Sequence, residues 1–489
     1  MILKSDLTIV NPKSIMNCND KLELRARKGY EMKTQPCWIL IAVFVFIGAD
    51  TDGVAQERQQ EEHSWNDILK GIEIGPGVLD IGGNIRIRTE LFNDFTIKGY
   101  GTGKNGVQIE DDGMLLERIR IDFNYRLFEN LNFFVQFQDA HFWFSELDLD
   151  DFGDVCAYEN PFDLKKAYID WRKIGDTPFG FQFGRQAISY RDNRVWGPGD
   201  WGNTGRYTWD ALKLYIETDW VDTDIILAQR VISHKSRFDD DYHDFDAYGL
   251  YSKVKQLPFD LDFFYILKAD DETIPNVDKA DRHSIGVYAN GKLENSIDWS
   301  GMGAYQFGEQ GNEDISAFGM NAKVGYTFNA PWKPRIGVEY SHASGDADPN
   351  DGETTTFDGL FGAVDTFYGR MNIFAWMNLQ DYQATFSVKP TKTIDLSVDY
   401  HYFRRDEKND FWYHINERPI RVANRANLDG LSSELGHEVD LLVKWRINKQ
   451  VELFSGYSHF FAGGFIDDSA NVGITDDADW VFLQFTYFF

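Results

Sequence analysis

The sequence has no apolar run of the roughly 18 residues that a membrane-crossing helix needs. Proline is scarce, at 13 in 489 residues, and there are three cysteines, Cys18, Cys37 and Cys156. The first two fall in a segment expected to be removed, and one remaining thiol cannot close an internal disulfide. No Cys-rich metal or redox motif occurs. None of the 10 histidines stands in an H-E-x-x-H motif, and no serine nucleophile motif stands out. With no catalytic set to work with, neither enzyme activity nor a cofactor is expected. Positive charge is also short. Lys and Arg number 49 against 78 Asp and Glu, a net charge of −29, which argues against nucleic acid as a partner.

Aromatic residues, by contrast, are abundant: 39 Phe, 23 Tyr and 14 Trp, with 42 Gly. Mean hydropathy is low, at −0.42. Many aromatics with a hydrophilic average suit a transmembrane β-barrel, whose strands alternate lipid-facing and lumen-facing residues. The one apolar run, Trp38 to Ala49, follows Met32-Lys33 and precedes small residues at Gly53 and Ala55. It reads as a secretory signal peptide over 32–55, too short for an anchor helix. Residues 1–31 then read as a gene-model extension and 56–79 as a periplasmic lead-in. The remainder, 80–489, is expected to be the barrel.

From Asp80 onward the period is two. Arg86, Arg88 and Glu90 alternate with Ile85, Ile87 and Leu91. Arg118, Arg120, Asp122 and Arg126 alternate with Ile119, Ile121, Phe123 and Leu127. Glu438, Asp440, Lys444 and Arg446 alternate with Val439, Leu441, Val443, Trp445 and Ile447. Such alternation makes two-faced strands. Eighteen are expected, between residues 80 and 489, in an all-β, antiparallel up-and-down transmembrane barrel. The connections alternate short (128–130, 175–177, 219–221, 257–258, 448–449) and long (93–113, 144–162, 188–206, 344–378, 405–435), as periplasmic turns and extracellular loops do. On that pattern 344–378 and 405–435 should face outside. Val481, Leu483, Phe485, Tyr487 and Phe489 share one face of a terminal strand ending in Phe. That ending resembles the signal by which the barrel assembly machinery recognises outer-membrane barrels. Residence in the outer membrane of the cell follows, with lipid and lipopolysaccharide as surroundings.

Acidic runs gather in the loops, at Glu146 to Asp154, Asp239-Asp240-Asp241 and Asp346 to Glu353; they read mainly as a solvated outer surface. The expected lumen face is different. It collects Arg86, Arg88, Arg118, Arg120, Arg126, Lys166, Arg172, Arg335, Lys444 and Arg446, with Glu90, Asp122, Asp170, Glu339, Glu438 and Asp440 among them. Charges of both signs in a narrow pore focus the field and set selectivity; cross-strand ion pairing alone would also account for any single arginine.

Two longer stretches carry a family resemblance. One is Phe183-Gly184-Arg185-Gln186, Tyr190-Arg191-Asp192-Asn193-Arg194, Trp201 to Arg206 and Trp209-Asp210-Ala211. The other is Ser344-Gly345-Asp346 with Thr356 to Phe361 and Tyr368-Gly369. A weaker match runs through Glu438 and Asp440. Together they resemble the bacterial alginate export family. The resemblance implies an 18-stranded monomeric barrel that passes an anionic polysaccharide through an arginine-rich constriction, with periplasmic export partners. It adds Arg185, Arg194 and Arg206 to the pore arginines, and gives Gly184, Gln186, Trp201, Asp210, Gly345, Asp346, Glu438 and Asp440 as motif positions. The expected function is therefore a porin for passive export of alginate or a similar polyanion. A general or small-solute porin on the same barrel is the alternative, and a structural barrel with a filled lumen a third reading.

Overall fold

The computed structural model describes residues 65–94, 109, 111–152, 155–270, 279–293, 296–363, 367–422, 424–469 and 477–489. The expected extension (1–31), signal peptide (32–55) and first part of the lead-in (56–64) lie outside them, as do residues 95–108 of the first long loop.

Eighteen strands follow one another in a single antiparallel sheet. They are β1 (Gly77–Asn93), β2 (Asp112–Phe128), β3 (Leu131–Trp143), β4 (Asn160–Trp171), β5 (Phe179–Gln186), β6 (Thr208–Glu217), β7 (Val221–Ile232), β8 (Asp240–Val254), β9 (Asp260–Asp270), β10 (Ala280–Leu293), β11 (Ile297–Gln310), β12 (Glu313–Thr327), β13 (Arg335–Ala343), β14 (Leu379–Val388), β15 (Ile394–Arg404), β16 (Glu434–Arg446), β17 (Val451–Ala462) and β18 (Ala478–Phe488). β18 pairs in turn with β1, with Ile85 opposite Tyr487 and Leu91 opposite Val481, so the sheet closes. Closure leaves no edge with unpaired backbone groups, which a bilayer could not satisfy. Each expected strand has its counterpart, displaced at its ends by no more than a few residues. Gly83 and Phe489 exchange backbone hydrogen bonds of 3.1 and 3.2 Å, so both ends of the barrel chain lie on the side of the short turns.

The period of two sorts the strand residues by solvent. On β1, Arg86 and Arg88 are 4% and 2% exposed, while Ile87 and Leu91 between and beyond them are 41% and 44% exposed. The apolar side chains form the lipid face: Phe263 on β9, Val287 on β10, Val338 on β13 and Leu483 on β18 are also among the exposed residues. The buried core lies inside the barrel.

Loops 344–378 and 405–433 leave the barrel at the end opposite the short turns, and much of each folds back into the lumen, as does loop 187–207. Phe357, Phe361, Tyr368, Phe374 and Trp376 of the first are buried, as are Trp412, Ile420, Val422 and Leu428 of the second. The physical reason is composition, since burying each large apolar side chain contributes about 1.5–3 kcal/mol. The wall meets them with aromatics. Phe374 lies 4.1 Å from Phe403 of β15, Phe361 lies 4.8 Å from Trp209 of β6, and Trp196 lies 5.6 Å from Trp209, between ring centroids.

Candidate functional site: the arginine cluster and the infolded loops

β1 and β2 place Arg86 directly opposite Arg118, and Asn84 opposite Arg120. Like charges so placed repel, and all three arginines, with Arg88, are buried. The tip of loop 187–207 makes the arrangement tenable. The Asp200 carbonyl accepts from Arg86 and Arg118, both at 3.0 Å, and the Gly202 carbonyl accepts from the same pair at 3.1 and 3.3 Å. Arg88 donates to the Trp201 carbonyl at 2.8 Å and to Glu90 at 2.6 Å. Lys165 of β4 donates to the Thr204 carbonyl at 2.8 Å. Arg120 pairs with the Asp200 carboxylate at 2.9 Å and with Gln138 at 2.8 Å. The Trp201 ring sits 4.1 Å from the Arg88 guanidinium and edge-on to Phe482 at 5.0 Å. Guanidinium groups spread several donors in a plane, so three arginines hold the successive carbonyls of Asp200, Trp201 and Gly202.

A cavity of about 840 Å³ lies between this loop tip and the end of the barrel that carries the short turns. Arg86, Arg118, Arg120, Arg370, Lys389 and Lys444 line it, against Asp192, Asp200, Asp395 and Glu452. Basic side chains are in excess in this chamber of a strongly acidic protein. Lys389 and Lys444 are paired, with Asp395 at 3.0 Å and Glu452 at 3.3 Å. Arg370, on the infolded loop 344–378, makes no ion pair among the described residues; its guanidinium lies 6.0 Å from the Phe454 ring.

The family model for alginate export matches residues 78–476, nearly the whole barrel. The chain belongs to the alginate export family. Among solved structures, Acinetobacter baumannii OccAB2 is similar at 10% identity with a TM-score of 0.53, covering 84% of this chain and 98% of that one. Pseudomonas aeruginosa OpdL is similar at 11% identity with a TM-score of 0.53, and OpdQ at 13% with 0.52, each with 84% and 98% covered. At such identities these likenesses speak for the barrel fold alone. A comparison with curated proteins finds none that matches. Fold and family together make the protein an outer-membrane porin, its short turns on the periplasmic side.

Six further arginines named from the sequence divide into two groups. Arg126, Arg172 and Arg446 stand near the periplasmic rim. They pair with Asp80 at 2.8 Å, with Glu217 at 2.5 Å and with Asp395 at 2.6 Å. Arg185, Arg194 and Arg206 join elements and do not border the cavity. Arg185 grips Asp210 with two bonds of 2.9 Å. Arg194 donates to Glu339 at 2.5 Å, to Tyr368 at 3.0 Å and to Ser341 at 3.2 Å, so it ties loops 187–207 and 344–378 to β13. Arg206 reaches Glu417 of loop 405–433 at 2.8 Å.

The motif positions have structural partners. Gly184 has φ +117°, and a Cβ there would stand 2.3 Å from the Ala167 carbonyl oxygen, so only glycine lets β4 and β5 approach. Buried Gln186 donates to the carbonyls of Gly184 and Ala211 at 3.1 Å. Gly345 leaves room for the Asn378 amide. The Asp346 carboxylate faces Arg425 at 3.2 Å. Glu438 accepts from the Met371 backbone N–H at 2.9 Å, and Asp440 accepts from the Ser458 hydroxyl. Among the described residues no group of three or more His, Cys, Asp or Glu is placed to hold a metal ion.

Sequence reasoning passed over Asp200 and Arg370. Each is adjacent to a residue of the quoted motifs, Trp201 and Gly369. Their setting depends on the infolding of both loops, which leaves no periodic pattern in the sequence.

Proposed function

We propose that the porin conducts carboxylate-bearing carbohydrate, a polyuronate chain or its fragments, passively from periplasm to exterior. The observation that carries this reading is the basic excess of the periplasmic chamber, in whose wall Arg370 makes no ion pair among the described residues. A guanidinium binds a carboxylate through paired, charge-assisted hydrogen bonds. Several weak sites in series let a chain advance without trapping it. Periplasmic partners would supply the polymer and the drive. The acidic outer loops count for little at this depth, because screening acts within about 8 Å at physiological salt.

Planar-bilayer recording across a KCl gradient tests the reading. The wild-type pore should be anion-selective, blocked by oligouronate, and driven toward cation selectivity by Arg88→Glu with Arg120→Glu. A cation-selective pore indifferent to uronates would refute it. The infolding of three loops favours a second reading, a small-solute porin, in which neutral sugars and small anions pass and oligouronates neither block nor cross.

A further inference from the structure

The tip of loop 187–207 bears the one carboxylate, among the described residues, that pairs with the arginine cluster from the loop side. Gly199, at φ +61°, turns the chain sharply toward the wall. Of the five carbonyls that follow, Asp200 to Thr204, all but that of Asn203 are taken by wall donors. The tip is therefore held by its backbone and by the Asn203 amide, which donates to the Glu117, His141 and Tyr158 carbonyls, and the Asp200 side chain is not needed for anchorage. One carboxylate oxygen of Asp200 accepts from Arg120 at 2.9 Å, while about half of the side chain, 48%, stays open to the cavity. Partial desolvation inside the lumen opposes ionisation of this carboxyl, but Arg120, Arg118 and Lys166 outweigh it and hold the group below the usual carboxylate range. It is charged at neutral pH.

Resting on the proposed function, we infer that Asp200 is a tethered competitor. It occupies the carboxylate position of the arginine cluster in the resting pore, and a passing solute carboxylate exchanges with it at Arg120. Exchange explains how a cluster of four buried arginines can serve transport. Unpaired, such a cluster would be costly to bury and would grip a polyanion tightly. With a carboxylate always at hand, the arginines are not stranded when the solute moves on, and the net gain on binding stays small. The backbone clamps set the competitor's position, so the loop need not leave for the exchange to occur.

The test is block by a defined oligouronate in single-channel recording, with Asp200→Asn, Asp200→Glu and wild type compared at one salt concentration. Asp200→Asn should bind the oligouronate roughly tenfold or more tighter, the equivalent of one hydrogen bond to a charged group no longer contested. The change should appear as longer block events and a stronger anion preference, with Asp200→Glu near wild type. Asp200→Cys provides a control independent of folding. After purification, a thiol reagent carrying a sulfonate should return block toward wild type, and a neutral reagent should not; Cys156 is buried. Equal or weaker block in Asp200→Asn, with wild type still anion-selective and blocked, would overturn the inference and leave the proposed function standing. Absence of block in every variant together with cation selectivity would overturn both.

Discussion

Arg194→Ala should release the lock between two loops without opening the barrel. The side chain is 3% exposed, and Glu339, its partner at 2.5 Å, is 5% exposed. It also donates to Ser341 and Tyr368, and its guanidinium lies 4.1 Å from the Phe367 ring centroid. Removing one member of a buried pair costs about 3–5 kcal/mol, chiefly through the charge left behind. Here Glu339 keeps Lys323 at 3.0 Å and Asn321 at 2.7 Å, which places the loss near the lower bound, about 3 kcal/mol. At 1.4 kcal/mol per factor of ten, the balance between docked and released loops shifts by roughly a hundredfold. Single-channel traces of the variant should then flicker between conductance levels, and limited proteolysis should cut within 187–207 or 355–376. Resistance to SDS before heating should stay, because every strand keeps its two neighbours. A variant as quiet in the bilayer and as resistant to protease as wild type would show that Arg194 is not the lock.

Four further outcomes are expected. The refolded barrel should resist SDS at room temperature and shift on a gel only after boiling, whereas a species labile without heating would contradict the closed sheet. A cysteine at Asn409, which is exposed, should be labelled in intact cells by a membrane-impermeant reagent, and one at Ser344, which is buried, should not; the reverse would place these loops differently. Trp376→Ala should destabilise the docked loop by about 3–5 kcal/mol, since Trp376 is buried against Phe357 and Tyr368, read out as earlier protease cleavage with an unchanged heat shift. Burial, then the hydrogen bond and charge of Asp163, push the Asp239 carboxyl up to about 7. A carboxyl raised on folding contributes stability that is complete below its unfolded value of about 3.9 and is lost as pH rises through the folded value. Loop protection should therefore decline between about pH 4 and 8 in wild type, less so in Asp239→Asn; parallel profiles would contradict this.

What the sequence determined is whatever has a short period. Alternation between Arg86, Arg88 and Ile87, or between Arg118, Arg120 and Ile119, records two solvents, lipid outside and a polar lumen inside, and each residue reports its side without reference to distant chain. The strand number, the antiparallel order and the adjacency of Arg86 to Arg118 follow from that and from short hairpins. The family motifs were legible too, but their roles were not: Arg185 and Arg194 look alike in sequence to Arg86, yet they hold elements together away from the chamber. Tertiary structure alone decided where the loops go and which arginines remain available. Loop burial has no period to read, and the contacts that fix it join residues far apart in the chain. Arg86 meets the carbonyl of Asp200, 114 residues away, and Arg194 meets Tyr368, 174 residues away. Whether a charge lines a pore or is spent on a loop depends on those encounters, because the strength of a charge in a lumen is set by the partner that reaches it first.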